Sequence, residues 1–332
     1  MLTFRKFFIF LLIVGFSPFV FGQTGGKLFD SEEMLSIRLE FDVAKLQKYR
    51  ERNPTWLDTD LRFLLANGDT AEMKVQVKAR GHFRRLGETC TLPPLRIRFS
   101  QNDTIDPFYP DTKLKLVTIC QEENYNFREY MVYRLYQELS EYSLRARLCK
   151  VEYVDKNNAV PSLTASGFFI EEVDRLAKRK NATEIDTSDY SLNDMHREQL
   201  TLVHMFQYMI GNPDHHPDRM QNTKLIQPDD GSPAIPVPYD FDWSGMVDAS
   251  YTKLEGFSGG LFDKRRFVPI DRSIEEFEAT ATIFIQKRER MESLIREADY
   301  LTAEDKKHML DYMASFFDVI EKKGKMKKEF MK

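Results

Sequence analysis

The chain has 332 residues, 42% of them hydrophobic, and carries 48 Lys and Arg against 52 Asp and Glu, a net charge of −4. That mildly negative balance argues against a nucleic-acid binder, which is usually basic. The length is large for one simple core, so one bilobed unit or two domains is expected.

Residues 1–22 read as a secretory signal peptide. Arg5 and Lys6 form a basic start, Phe7 to Phe21 is apolar with a break at Pro18, and Phe21-Gly22 precedes Gln23 as a cleavage site. The expectation is an exported protein, periplasmic or extracellular. No Cys follows the apolar run, which argues against a lipid anchor. No later stretch is long and apolar enough to span a bilayer. Three cysteines remain, Cys90, Cys120 and Cys149. In an exported chain they predict one disulfide and one spare thiol. Three pairings are open; Cys90 with Cys120 is favoured because both fall at strand edges beside polar turns. No two Cys have zinc-finger spacing.

In chain order, residues 34–42 alternate apolar and polar and predict a strand, followed by a short helix from Val43 to Arg52. Further strands are predicted at 60–66, 72–79, 94–100 and 114–120. The turn Asn67-Gly68-Asp69 and a basic loop at 80–88 separate the first three. Tyr125 to Leu139 has amphipathic helix spacing, and 148–154 with 166–173 read as a hairpin around Lys156-Asn157-Asn158. Beyond about residue 175 the pattern turns helical. A helix from Asp194 to Ile210 ends at Gly211, a suitable C-cap. Helices follow at roughly 273–298 and 302–323, the second started by Thr302 with Glu304 and Asp305. The lysines from Lys322 to Lys328 read as a solvated helix end.

The segment from Gly211 to Gly245 is the most informative. Asp214, His215 and His216 come first; Asn222 opens a short apolar run to Ile226; a Pro/Gly/Asp turn leads to a second run, Ile235 to Tyr239, which ends in Asp240-Phe241-Asp242. Two short strands joined by that turn would bring Asn222 and Asp240 together, with Asp214 on the loop before them. Phosphoryl transfer to a hydroxyl uses such a set: a carboxylate to accept the proton, and an Asn and an Asp to hold Mg²⁺ on nucleotide phosphates. Mg²⁺ takes few protein oxygens and keeps waters, so an Asn/Asp pair suffices. Asp214 could equally cap the following turn. Adjacent His215 and His216 point apart and read as loop structure rather than ligands. Asp242 is either a second metal ligand or a cap. Arg80, Arg84 and Arg85 with His82 read as a phosphate cover or as a solvated hairpin tip. Lys78 could add a phosphate contact. Glu171 or Glu172 could partner a phosphate-binding base, with the other exposed. Trp56 and Trp243 read as packing residues, and Asn102-Asp-Thr and Asn181-Ala-Thr fit the glycosylation sequon.

Over residues 72–250 the chain resembles the spore-coat-protein-H (CotH) family of atypical protein kinases. Lys78-Ala79-Arg80-Gly81-His82 resembles that family's Arg-Gly-Asn/His-Ser stretch, and Leu95-Arg96-Ile97-Arg98-Phe99 its Tyr-Arg-Leu-Lys-Phe strand. Phe127-Arg128-Glu129 to Tyr136 resembles its helix, and Gly167 to Asp174 its strand ending in Glu. Asp214, Asn222 and Tyr239-Asp240-Phe241-Asp242 resemble its Asp-x-His…Asn and Trp-Asp-Leu-Asp elements. The resemblance implies an α+β, bilobed protein-kinase-like fold: a β-rich lobe with a connecting hairpin over 23–175 and a helical lobe over 176–332. It implies ATP and Mg²⁺ or Mn²⁺ as cofactors, and a hydroxyl-bearing acceptor such as a protein. It implies Asp214 as base, Asn222, Asp240 and Asp242 at the metal, and Lys78, Arg80, Arg98 and Glu171 at the nucleotide.

The chain departs from the family at three points. Asp214 and Asn222 are eight residues apart where the family has four or five, which makes Asp218 a rival base. Leu92-Pro93 stands in place of a Lys pair, and Arg98 in place of the strand Lys. These departures favour, as the alternative, a non-catalytic kinase-like assembly module. An Asp-His-His phosphoesterase would need an upstream Asp-x-Asp motif on a strand, and Asp58-Thr59-Asp60 is poorly placed for it.

Overall fold

The computed structural model describes residues 27–331 apart from 66, 88, 101–104, 187–189, 217–218 and 254–264. The leader at 1–22, the rival base Asp218 and the sequon at Asn102 therefore lie outside the described residues.

The first part is built from alternating strands: β1 (Leu35–Phe41), β2 (Leu57–Leu64), β3 (Thr70–Ala79), β4 (Leu95–Phe99) and β5 (Lys113–Val117). A helix, α1 (Val43–Tyr49), follows β1 and is capped by Asp42, whose side chain accepts from the Lys45 amide. Helix α2 (Glu123–Leu139) comes next, then β6 (Ala146–Asp155) and β7 (Leu163–Ile170). The expected hairpin is not a connector. β6 and β7 complete a closed barrel in the order β1-β2-β3-β4-β5-β7-β6. Every neighbouring pair is antiparallel except the seam, where β1 runs parallel to β6 with Leu35 opposite Cys149. Closure removes the unpaired edges that an open sheet would leave. Odd-numbered residues of β1 to β4 point inward, so Leu39, Leu61, Val77 and Ile97 meet in a barrel core with Phe108 and Phe169.

The remainder contains α3 (Val173–Arg179), β8 (Ala182–Ile185), α4 (Arg197–Ile210), β9 (Thr223–Pro228) and β10 (Ile235–Pro238), then α5 (Ile274–Glu297), α6 (Ala303–Ile320) and α7 (Lys323–Phe330). β10, β9 and β8 form a second, antiparallel sheet. A second core joins α2 to α4, α5 and α6, with α2 packed between α5 and the barrel strands β6 and β7. The fold is thus mixed α+β, with a sheet-rich part and a helical part.

Two expectations need correction here. The helix predicted over 302–323 stops at Ile320, and the lysine run begins a separate helix, α7. That run is not simply solvated: Phe330 packs 4.5 Å from Phe267 and 5.2 Å from Phe277, while Lys322 and Lys325 pair with Asp318 and Lys323 with Glu278. α3 and β8 gave no sequence signal, because seven- and four-residue elements are too short for a period to show.

Candidate functional site

A cleft of about 810 Å³ opens between the loop that follows β3 and the segments that follow α4 and β10. Its roof carries Arg80, His82, Phe83, Arg84 and Leu86; its floor carries Asp214, Gln221, Asn222, Asp240 and Asp242. Five of the expected site residues are thereby brought together: Arg80, Asp214, Asn222, Asp240 and Asp242.

The floor follows from local chemistry. Gly211 ends α4 at φ 62°, and any Cβ there would lie 1.9 Å from the Tyr312 hydroxyl, so glycine is required. Asn212 then accepts from the Asp214 amide at 3.0 Å and turns the chain. The Asp214 carboxylate accepts from the Asn222 side-chain amide at 2.6 Å and from that of Gln221. Burial raises the Asp214 pKa, opposed by the Asn222 hydrogen bond and assisted by the charge of Asp240.

β9 and β10 pair so that Pro238 faces Thr223, and the Tyr239 amide continues the ladder by donating to the Asn222 carbonyl at 3.0 Å. Asn222 and Asp240 therefore flank one end of a hairpin, as their spacing predicted. Both hold left-handed backbone, at φ 56° and 62°. Asn and Asp tolerate that region better than most residues, and non-glycine strain of this kind concentrates at functional sites. The Asp240 amide donates to the Tyr133 hydroxyl of α2 at 3.0 Å, which fixes the strand end against the helical core.

Asp242 lies deeper. It is buried, one oxygen accepts from the Tyr251 hydroxyl at 3.0 Å, and Arg84 stands 3.8 Å away. Burial, then the neighbouring Asp240 charge, push its pKa up to about 7 against the pull of Arg84. Arg84 also donates to Glu129 at 3.1 Å, to the Thr118 carbonyl at 3.0 Å and to the Asn126 side-chain oxygen at 3.3 Å. Burial raises the Glu129 pKa to about 8, again opposed by Arg84. This buried quartet of Arg84, Glu129, Asp242 and Tyr251 was missed in the sequence. The available signal was Glu129 itself, four residues after Tyr125 on the buried stripe of α2.

Three expected nucleotide residues lie elsewhere. Lys78 and Arg98 sit on the outer face of the barrel, 5.3 and 4.4 Å over the Trp56 ring. On β3 the inward positions are Val77 and Ala79, and on β4 they are Ile97 and Phe99, so Lys78 and Arg98 must point out. Arg98 donates to the Gln76 side chain there. Glu171 is buried between Arg145 at 3.0 Å and Arg179 at 2.9 Å and does not line the cleft. Its neighbour Glu172 is not exposed either: it pairs with Arg96 at 3.2 Å and Lys115 at 3.3 Å. Lys115 lies 5.8 Å from the Tyr239 ring, beside the floor. Burial lowers its pKa, with Glu172 opposing and Arg80 assisting. Sequence reasoning passed over it, although a Lys inside the apolar strand Lys113–Val117 is the kind of residue that needs a partner.

His215 is buried below Asp214, its ring 4.9 Å from that of His204, and burial holds both imidazoles below the ordinary range. It is loop and core structure, as expected. Trp243 packs at 5.3 Å against Phe83, joining floor to roof. Cys90 and Cys120 form the disulfide, and Cys149 stays a buried thiol in the barrel. Among the described residues no helix is long and apolar enough to cross a membrane. Among them no group of three or more His, Cys, Asp or Glu is arranged to hold a metal.

No family model and no curated protein matches the chain. Among solved structures it is similar to one described as a crystal structure of a Helicobacter pylori proinflammatory kinase, CtkA. The identity is 9%, the match covers 76% of this chain and 94% of that one, and the TM-score is 0.41.

Proposed function

We propose that this chain is an exported, CotH-like kinase that moves the γ-phosphoryl group of ATP to a hydroxyl-bearing acceptor such as a protein side chain. The observation that carries the proposal is the convergence of Asp214, Asn222 and Asp240 on one cleft roofed by Arg80. The donor set fits Mg²⁺ or Mn²⁺: hard oxygens, few in number, with room for phosphate and water. Asn222 and Asp240 would hold the ion, which when bound neutralises charge on the phosphates. Asn222 donates its amide hydrogen to Asp214, which leaves its side-chain oxygen for a cation.

Asp214 acts as the proton acceptor. Its raised pKa makes it a better base than an ordinary carboxylate, and Gln221 and Asn222 fix its direction. As the acceptor oxygen forms its bond to the γ-phosphorus, the bond from that phosphorus to the bridging oxygen breaks and ADP leaves. The acceptor's proton goes to Asp214. Arg80 on the roof offsets the phosphate charge, with Lys115 behind it held by Glu172. Asp242 serves as a buried support beneath Asp240 rather than as a first ligand, because Tyr251 engages one of its oxygens.

Calorimetric titration with ATP, with and without Mg²⁺, tests the binding half. Heat and a raised melting temperature are expected only with both present. Asp214→Asn should then keep that binding and lower phosphoryl transfer about 10²- to 10⁴-fold. Asp240→Asn should weaken binding itself. Binding without transfer in the parent would favour the non-catalytic module. Neither binding nor transfer would sink the kinase proposal.

A further inference from the structure

We infer that Arg50, outside the cleft, is the positioning residue that holds the loop segments 84–87 and 89–91 as a preformed roof; the inference rests on the nucleotide reading above. Arg50 follows the last turn of α1 and is 2% exposed. A guanidinium has five N–H donors. Here Nε donates to the Arg85 carbonyl at 2.7 Å. Nη1 donates to the Thr91 carbonyl at 3.1 Å and to the Gln47 side chain at 2.7 Å. Nη2 donates to the carbonyls of Leu86 at 3.1 Å and Cys90 at 2.7 Å. Nη2 also reaches the Arg84 carbonyl at 3.5 Å, so five of the six hydrogen bonds go to the backbone of one irregular loop.

Two neighbours in the chain do the same work. Gln47 donates to the Thr91 carbonyl at 2.8 Å, and the Glu51 carboxylate accepts from the Gly87 amide at 2.8 Å. Gln47 in the last turn of α1, its C-cap Arg50 and the next residue, Glu51, thus hold the loop from behind. The disulfide between Cys90 and Cys120 anchors its far end, where Gln121 donates to the Thr89 carbonyl at 3.1 Å.

With its carbonyls drawn back toward α1, the loop turns its other side to the cleft. Phe83, Arg84, Leu86 and Thr89 line it there, and Arg84 crosses to Glu129 and Asp242. The site therefore gains its roof on folding rather than by closing a flap on the nucleotide. A preformed contact surface avoids the ordering cost of binding. A purely structural Arg50 would matter for the barrel and not for ligand affinity, which gives the discriminating measurement.

The experiment compares the parent with Arg50→Met, Arg50→Lys and the milder pair Gln47→Ala with Glu51→Ala, all with the disulfide intact. Amide hydrogen exchange of residues 83–91 is read against that of β1 to β3. Affinity for Mg·ATP is read by calorimetry, and KM against kcat by transfer. In Arg50→Met the roof amides should exchange about tenfold faster while the barrel amides hardly change. The KM for ATP should rise about tenfold with kcat within about threefold. Arg50→Lys should fall between, since an ammonium has three donors and no planar fork. If Arg50→Met does not fold, Arg50→Lys and the Gln47/Glu51 pair carry the same comparison. Parent-like exchange of the roof, or a loosened roof with parent-like affinity, overturns the inference. A parent that does not bind Mg·ATP overturns the nucleotide reading instead, and roof exchange then decides the clamp by itself.

Discussion

The roof and the floor of the cleft are ordered by opposite means. The floor is a stretch of neighbours in sequence, 211–245, shaped by a glycine cap, an Asn turn and a short hairpin. Its carboxylates repel one another and are held in place by burial and hydrogen bonds. The roof has almost no regular structure. It is held by donors from α1, more than thirty residues away in sequence, and by a disulfide to the stretch before α2. The floor concentrates negative charge that a cation would relieve. Much of the roof's described backbone is already hydrogen-bonded to side chains behind it. A site made this way has its variable electrostatics on one side and its fixed geometry on the other.

Arg84 belongs to both sides, so removing it should break the comparison most severely. Arg84→Met leaves Glu129 and Asp242 buried with their principal cation gone. Loss of one partner of a buried pair costs about 3–5 kcal/mol. The sign with pH follows from the raised pKa values of both acids. Once protonated they no longer need Arg84, so urea unfolding should show a larger loss at pH 8 than at pH 5. Equal losses at the two pH values would mean that the acids do not carry the charge that Arg84 neutralises.

How far the sequence showed this arrangement follows from the same contrast. The strands at 34–42, 72–79 and 94–100 were readable because each alternates with period two, and barrel strands bury one face. Closure was not readable, since it depends on pairing β1 with β6 across more than a hundred residues. Asn222 and Asp240 were legible as a pair because a two-strand hairpin brings its ends together whatever surrounds it. Lys78 and Arg98 were drawn into the site by family pattern, while the pleat sends them to the outer face. Arg50, Glu129 and Lys115 looked like ordinary charged residues of amphipathic elements. Only tertiary contact gives them partners.

Beside the floor lie two buried histidines, His204 and His215. Burial lowers the His204 pKa to about 4 and holds His215 well below its ordinary value. Both are neutral in the folded state, whereas the unfolded chain takes up protons near pH 6.5. Their contribution to stability is therefore full above that pH and is lost as pH falls below it, for His204 down to about 4. Each can add a slope of at most about 1.4 kcal/mol per pH unit in that window. Unfolding midpoints of the parent and His204→Leu between pH 6.8 and 4.5 should diverge, with the variant less sensitive to acid. Parallel profiles would show that His204 does not titrate differently in the two states.

The smallest effect is expected just outside the roof, and it sharpens the division most. Lys78 and Arg98 lie on the strands that lead into and out of the roof loop, yet they stack on Trp56 and do not line the cleft. Exposed contacts of a cation with an aromatic ring contribute about 0.5–1 kcal/mol. Their charges face solvent, where salt screens them over about 8 Å. The double variant Lys78→Gln with Arg98→Gln should lose about that much stability and keep its Mg·ATP affinity within about twofold. Lys115→Gln is the contrasting case, because it removes a buried charge beside Arg80 and leaves Glu172 with Arg96 as its remaining cation. Calorimetry on both should separate them. A tenfold loss of affinity in the outer-face variant would mean that those strand ends reach the phosphates after all, and the roof would then extend down β3 and β4 rather than stop at Arg80.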